Sequence, residues 1–359
     1  MPRLGDQDSK PYRRRASHAG TWYSDSGPLL GQQLTDWLGA SAQTTKPGSA
    51  VRAIIAPHAG FSYSAQTAAS AYAHMDPSKL ARVFVLGPSH HVHMRRCAVS
   101  TASRLETPIG DLAVDQDVTR QLLATGDFDA MTARMDEDEH SIEMHLPFIK
   151  KVMEGRPCTV VAIMIGALSA ELEQHYGRIL APYLEDLTNF FIISTDFCHW
   201  GSRFRYQPLG AAHSAIHEHI SWLDHEGMKL IQSQDAVGFR RYLAQHGNTI
   251  CGRHPIATFI NAMEASTVCI CVTWVEYAQS TKVVSPQVRT LAVASAFDIL
   301  VGTQGGRVRE PHGPFYRRFF VLQPPPKSFP PHHALGPASR LNSCTPTLRT
   351  QTGWTSLGV

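Results

Sequence analysis

Five short apolar runs constrain this chain more than any other feature of its sequence. Residues 51–57, 82–88, 159–166, 189–195 and 269–277 are dominated by Val, Ile, Phe and other apolar side chains, with little polar alternation. Runs of this length and character read as strands buried on both faces. Between and around them, apolar residues recur at helical spacing over 28–38, 64–74, 115–125, 139–153, 168–184, 209–224, 234–245 and 255–265. Buried strands alternating with helices predict an α/β fold: a single domain with a central mixed, largely parallel β-sheet flanked by helices. No repeat of 20–50 residues competes with that pattern.

Composition sets the boundaries. Residues 1–11 are polar and read as a flexible arm, and 12–283 as the domain. Residues 284–302 leave the last strand open. From 303 to 359 the periodicity stops; seven basic residues stand against one acidic, and nine of the 23 prolines gather there. That stretch reads as a disordered, basic, Pro-rich tail. It accounts for the net charge of +3, since the first 302 residues carry 26 basic and 29 acidic side chains. So small a balance argues against nucleic acid as a partner. No window approaches the roughly 18 apolar residues of a membrane span. The first 15 residues carry charge but no apolar core, unlike a secretory signal. Seven cysteines, an odd number with no Cys-x-x-Cys, read as free thiols in a reducing compartment. The expected location is the cytoplasm, with the nucleus as an alternative.

In open α/β sheets, ligands bind beyond the carboxyl ends of the strands. Three of the apolar runs end in chemistry-bearing residues: His58 after the first, His90 and His91 after the second, Asp196 and His199 after the fourth. Side chains so close to a strand are held more stiffly than those on free loops. Two further segments supply candidates. The run 136–147, DEDEHSIEMHLP, opens a helix; its acids suit a helix N-terminus and read mostly as solvated, while His140 and Glu143 can share a face. Cys251 precedes a helix and stands beside Arg253 and His254, and both a helix N-terminus and a nearby Arg lower a thiol pKa. Two imidazoles and one thiolate make a three-donor metal site, with Asp196 and His199 as supporting or acid–base groups. His213 and His217 lack the Glu of His-Glu-x-x-His and read as a solvated face. No phosphate-binding glycine loop and no Gly-x-Ser-x-Gly elbow is present.

These motifs carry a resemblance. SHAGTWY (17–23), IIAPHAG (54–60), LGPSHH (86–91), DEDEHSIEMHLP (136–147), DFCHWG (196–201), TICGRHP (249–255) and YAQS (277–280) are similar, in order, to the Memo family (mediator of ErbB2-driven cell motility). The resemblance implies a fold similar to the LigB-like class III extradiol dioxygenases, which bind non-haem iron. It implies His58 and His90 as metal ligands, with Cys251 where those enzymes have a carboxylate. His199 takes the acid–base position, Asp196 lines the same pocket, and His140, Glu143, Arg253 and His254 stand nearby or against substrate. It further implies Fe(II) or Cu, with Zn less suited, and redox chemistry linked to signalling. The ligand would be a small molecule or peptide, including phosphotyrosine peptides in an adaptor role; a zinc hydrolase is the remaining alternative. The family's Ser-rich last strand has no counterpart here, which predicts that residues beyond about 283 stand outside the fold, with a last strand rebuilt from 288–301 as the alternative.

Overall fold

The computed structural model describes residues 12–42, 51–209, 215–284 and 290–303. The expected flexible arm at 1–11, His213 and the tail from 304 onward lie outside these residues.

Strand β1 (Arg13–Arg14) and helix α1 (Gly27–Ala42) lead into β2 (Val51–Ala56), α2 (Phe61–Tyr72) and β3 (Arg82–Pro88). An excursion follows: β4 (Cys97–Val99), β5 (Arg104–Leu105), β6 (Leu112–Val114), α3 (Gln116–Ala124), β7 (Phe128–Ala130) and the short helices α4 (Ala133–Asp138), α5 (His140–Glu143) and α6 (Leu146–Val152). The chain returns through β8 (Thr159–Ile165), α7 (Ala170–Glu185), β9 (Asn189–Ser194) and β10 (His199–Trp200). Helices α8 (Ile216–Gln232), α9 (Ala236–His246) and α10 (Arg253–Ala265) precede the long strands β11 (Val268–Gln279) and β12 (Thr290–Thr303).

The strands form one mixed sheet whose centre runs β8-β3-β9-β2, all parallel, with β12 antiparallel beside β2 and β11 beyond it. Alternate side chains feed two cores, one on each face. Phe84, Leu86, Phe191 and Ile193 face one way, toward the side packed by α7 and α10. Val83, Val85, Phe190 and Ile192 face the other, with residues of α1, α2 and α6. Each such side chain, buried outright, contributes roughly 1.5–3 kcal/mol. Burial on both faces explains why these strands read as continuous apolar runs.

Three expectations change. The helix expected over 139–153 is two helices, α5 and α6. Pro147 sits in the first turn of α6 and has no N–H to continue a ladder from α5. The helix expected over 209–224 starts only at Ile216 and runs on to Gln232. The fold does not end near 283: β12 pairs with β2 (Ala296 opposite Ile55) and with β11 (Phe297 opposite Thr273). The strand thus lies inside the sheet, with β2 on one side and β11 on the other. Among the described residues, no helix is long and apolar enough to cross a membrane.

Candidate metal and acid–base site

Strands β2, β9 and β3 are parallel neighbours, so the loops at their carboxyl ends open on one edge. His58 and His90 each lie two residues past their strand, as does Asp196 past β9. Cys251 joins them from the turn before α10. That turn lies against the end of β9 because residue 252 is glycine; a Cβ there would meet the Thr195 Cβ at 2.3 Å. The strand ends and this turn gather two overlapping donor groups, His58/His90/His140 and His58/Asp196/Cys251. Within each group the donor atoms lie within 4.8 Å of one another.

Hydrogen-bond accounting fixes how the imidazoles face. The Ser194 hydroxyl donates its one proton to the Ser141 carbonyl at 2.7 Å. At 2.6 Å from Ser194 Oγ, His58 Nδ1 must therefore donate. His90 Nδ1 donates to Glu139 Oε1 at 2.9 Å, and His199 Nδ1 to the Thr249 carbonyl at 3.0 Å. In all three rings Nδ1 is occupied and Nε2 is left for a ligand, the arrangement that second-shell partners impose on metal-binding histidines. His58 Nε2 lies 3.1 Å from Cys251 Sγ and 3.6 Å from Asp196 Oδ2. The His58 side chain is only 2% exposed, whereas that of His90 is 28% exposed, so solvent reaches the site from the His90 side.

The electrostatics are uneven. Burial lowers the pKa of His58 well below the ordinary histidine value, and neighbouring His90 lowers it further. Burial also lowers His199. Burial would lower His90 too, but hydrogen bonds and charge from Cys251 and Glu139 overcome it and push His90 up. Asp196 is pushed up to about 7 by burial, against the opposing pull of the backbone N–H groups of His58 and Ala59. Cys251 corrects an expectation. Burial raises its thiol above the ordinary value, and His90 offsets this only in part. Arg253 is exposed and reaches back to the Ile250 carbonyl at 3.5 Å. The thiol does accept the Asp196 backbone N–H at 3.1 Å. A thiolate here therefore depends on a bound cation or on protonated His90, not on Arg253.

The remaining sequence candidates divide. His140 belongs to the cluster: its ring stacks on His90 and meets Trp22 at a tilt of 34°, with centroids 4.4 Å from each, and its Nδ1 is buried without a hydrogen-bond partner. Glu143 lies behind the pocket. It accepts from Arg14 Nη1 at 2.7 Å, Tyr23 Oη at 2.7 Å and His18 Nδ1 at 2.8 Å. His254 turns away to Glu173 of α7, at 2.8 Å.

Ser194, Thr249, Glu139 and Arg14 also serve the site, though nothing in the sequence singles them out for that role. Among the acids of 136–139, expected to be mostly solvated, Asp136 and Glu139 are buried. Arg14, itself buried, donates to Asp136 Oδ1 at 3.0 Å and to the Glu139 carbonyl at 2.9 Å. The available signal was the three-residue spacing of Asp136 and Glu139, which turns both inward while Glu137 and Asp138 pair with exposed Arg15 and Arg134.

Comparison with known proteins assigns the chain. A family model described as Memo-like protein matches residues 14–297, reaching into β12. The chain belongs to the Memo family. Protein MEMO1 of Xenopus laevis is 48% identical over 287 residues, covering 79% of this chain and 96% of the relative. Protein MEMO1 of Homo sapiens is 46% identical over 274 residues, covering 75% and 91%. Every Memo-family motif quoted from the sequence lies within the matched span.

Proposed function

We propose that this Memo-family chain binds a redox-active metal, iron or copper, through His58, His90 and Cys251, and uses His199 and Asp196 as acid–base groups beside it. One observation carries the reading: two imidazoles with Nδ1 committed elsewhere, His58 and His90, meet at the Cys251 thiol. The donor set fits such an ion. Imidazole with thiolate suits iron, copper and zinc, and the buried Nδ1 of His140, which makes no hydrogen bond and approaches Glu139 Oε1 only to 3.5 Å, adds a polar atom with unmet capacity beside it. When bound, iron or copper would supply Lewis acidity and one-electron redox chemistry.

The chain's own residues do the rest. His58 holds its Nε2 lone pair toward Cys251 through Ser194. His199 is fixed at both ends by Thr249, whose hydroxyl accepts the His199 backbone N–H at 2.7 Å and donates to its carbonyl at 3.1 Å. Burial keeps the His199 ring neutral near pH 7, ready to accept a proton at Nε2. Asp196, poised near neutrality, can hold or release one.

Elemental analysis of protein purified without oxygen tests the reading. Near-stoichiometric iron or copper is expected in the wild type and none in His58→Ala. Metal absent from both would sink it, and zinc with no redox response would turn it toward hydrolysis.

A second reading, a module that binds phosphotyrosine peptides, is favoured by Trp22. This side chain is 36% exposed and lies over His140, offering an aromatic face at the rim. Calorimetry with phosphotyrosine peptides on metal-free protein separates the two, since only an adaptor retains binding there.

A further inference from the structure

Each imidazole of the site leans on a different kind of acceptor. His58 donates to a hydroxyl and His199 to a backbone carbonyl, both neutral. His90 alone donates to a carboxylate, and it does so twice: Nδ1 to Glu139 Oε1 at 2.9 Å, and its backbone N–H to Oε2 at 2.6 Å. Glu139 is buried, and among the described residues the rings of two histidines lie against its carboxylate, His90 at 2.9 Å and His140 at 3.5 Å.

A plainer duty is also visible. Glu139 is the N-cap of α5 and accepts the Ser141 N–H at 2.8 Å. Ser, Thr, Asp or Asn would serve a cap at least as well. The longer Glu side chain spans from the cap to the ring of His90, which a shorter one would not reach in the same pose. His140 stacks on the face of His90, so the ring is held by a plane as well as by a bond.

We propose that Glu139 is the positioning residue of His90: it locks the ring with Nδ1–H inward and strengthens Nε2 as a donor. The inference rests on His90 serving as a metal donor. A charge-assisted bond is roughly twice as strong as a neutral one, so negative charge is delivered to this imidazole and to neither of the others. His90 is then the strongest nitrogen donor of the set, although it is the most exposed. Partners of this kind typically change metal affinity about 10- to 100-fold when removed.

The test uses the full chain and Zn(II) or Co(II) with a competing chelator, comparing wild type with Glu139→Gln. The amide keeps the length and can still accept the Ser141 N–H, but it cannot accept both bonds from His90 as well. Affinity is expected to fall about 10- to 100-fold. A second measurement reads the bond itself: the His90 Nδ1 proton of the wild type should give a slowly exchanging, downfield NMR signal, which Glu139→Gln moves upfield because its acceptor is no longer charged. Equal affinity in wild type and variant, or the absence of that signal from the wild type, would overturn the inference and leave Glu139 as a cap. A wild type that takes up no metal is a different failure. It overturns the metal reading, and the affinity role of Glu139 with it.

Discussion

Two pairs of buried carboxyl groups flank the site, and they behave in opposite ways. Glu139 and Glu143 bracket α5 and accept from His90 and His18; Asp196 and Asp224 accept the backbone N–H groups of His58 and Cys198. All four are buried, and burial pushes all four toward the neutral form. The number of hydrogen bonds does not separate them. Asp224 accepts from the Cys198 N–H at 3.1 Å, from Asn248 at 2.9 Å and from Tyr277 at 2.9 Å. The partners' charge does separate them. Against burial, His90 holds Glu139 down at about 2, and His18 with Arg14 does the same for Glu143. Asp224 has only neutral donors, and burial pushes it up to about 7. Three neutral bonds do not replace one cation. The site thus stands between a permanently charged strut and a pair of acids that titrate near neutrality.

The harshest way to break this contrast is Arg14→Met. It removes the buried cation that faces Asp136 and Glu143 while keeping most of the side-chain volume. Uncompensated buried carboxylates should cost about 3–5 kcal/mol, read as a lowered urea midpoint. A loss below about 1 kcal/mol would mean that the strut is not held by charge.

A pH series sharpens the contrast, because the two pairs push stability in opposite directions. Glu139 and Glu143 are depressed, so their contribution is present above the ordinary value near 4.3 and is lost as pH falls toward 2. Asp196 and Asp224 are raised, so the folded state keeps protons that the unfolded state has released. Their effect is a fall in stability as pH climbs from about 4 to about 7. At roughly 1.4 kcal/mol per pKa unit, the neutral limb should be a few kcal/mol deep in metal-free protein. Asp224→Asn should make it about half as deep, leaving the share of Asp196; an unchanged slope would show that Asp224 does not ionise there.

The smallest effect is expected from Tyr277→Phe. Removing one donor to Asp224 should cost about 1 kcal/mol and move the Asp224 midpoint further up in a carboxyl ¹³C NMR titration. A downward move would break the account.

Much of this architecture was legible in the sequence. The four central strands are buried on both faces, so each wrote a continuous apolar run, and the histidines and Asp196 sit directly after three of them. The strands β4 to β7 were not legible, since two or three residues are too few to show a period. The ring acceptors were also hidden. Ser194 looks like the last residue of an apolar run, Thr249 like a loop residue, and Glu139 like one acid among several. Their roles arise from contacts between residues 49 to 136 positions apart. The Cys251 reading failed for a related reason. Sequence neighbours such as Arg253 suggest a low thiol pKa, but burial, which no local pattern reports, decides the direction.

The place of β12 has a consequence for how the molecule is made. The strand that delivers His58 lies near the start of the chain, yet its antiparallel neighbour is the last described element, about 240 residues later. While the chain is being synthesised, β2 can dock on β9 but keeps one open edge until residues 290–303 have emerged. An unpaired apolar edge of that kind invites pairing with another chain. A product that stops short of 290 would therefore carry every residue of the proposed site and still present an edge open to aggregation.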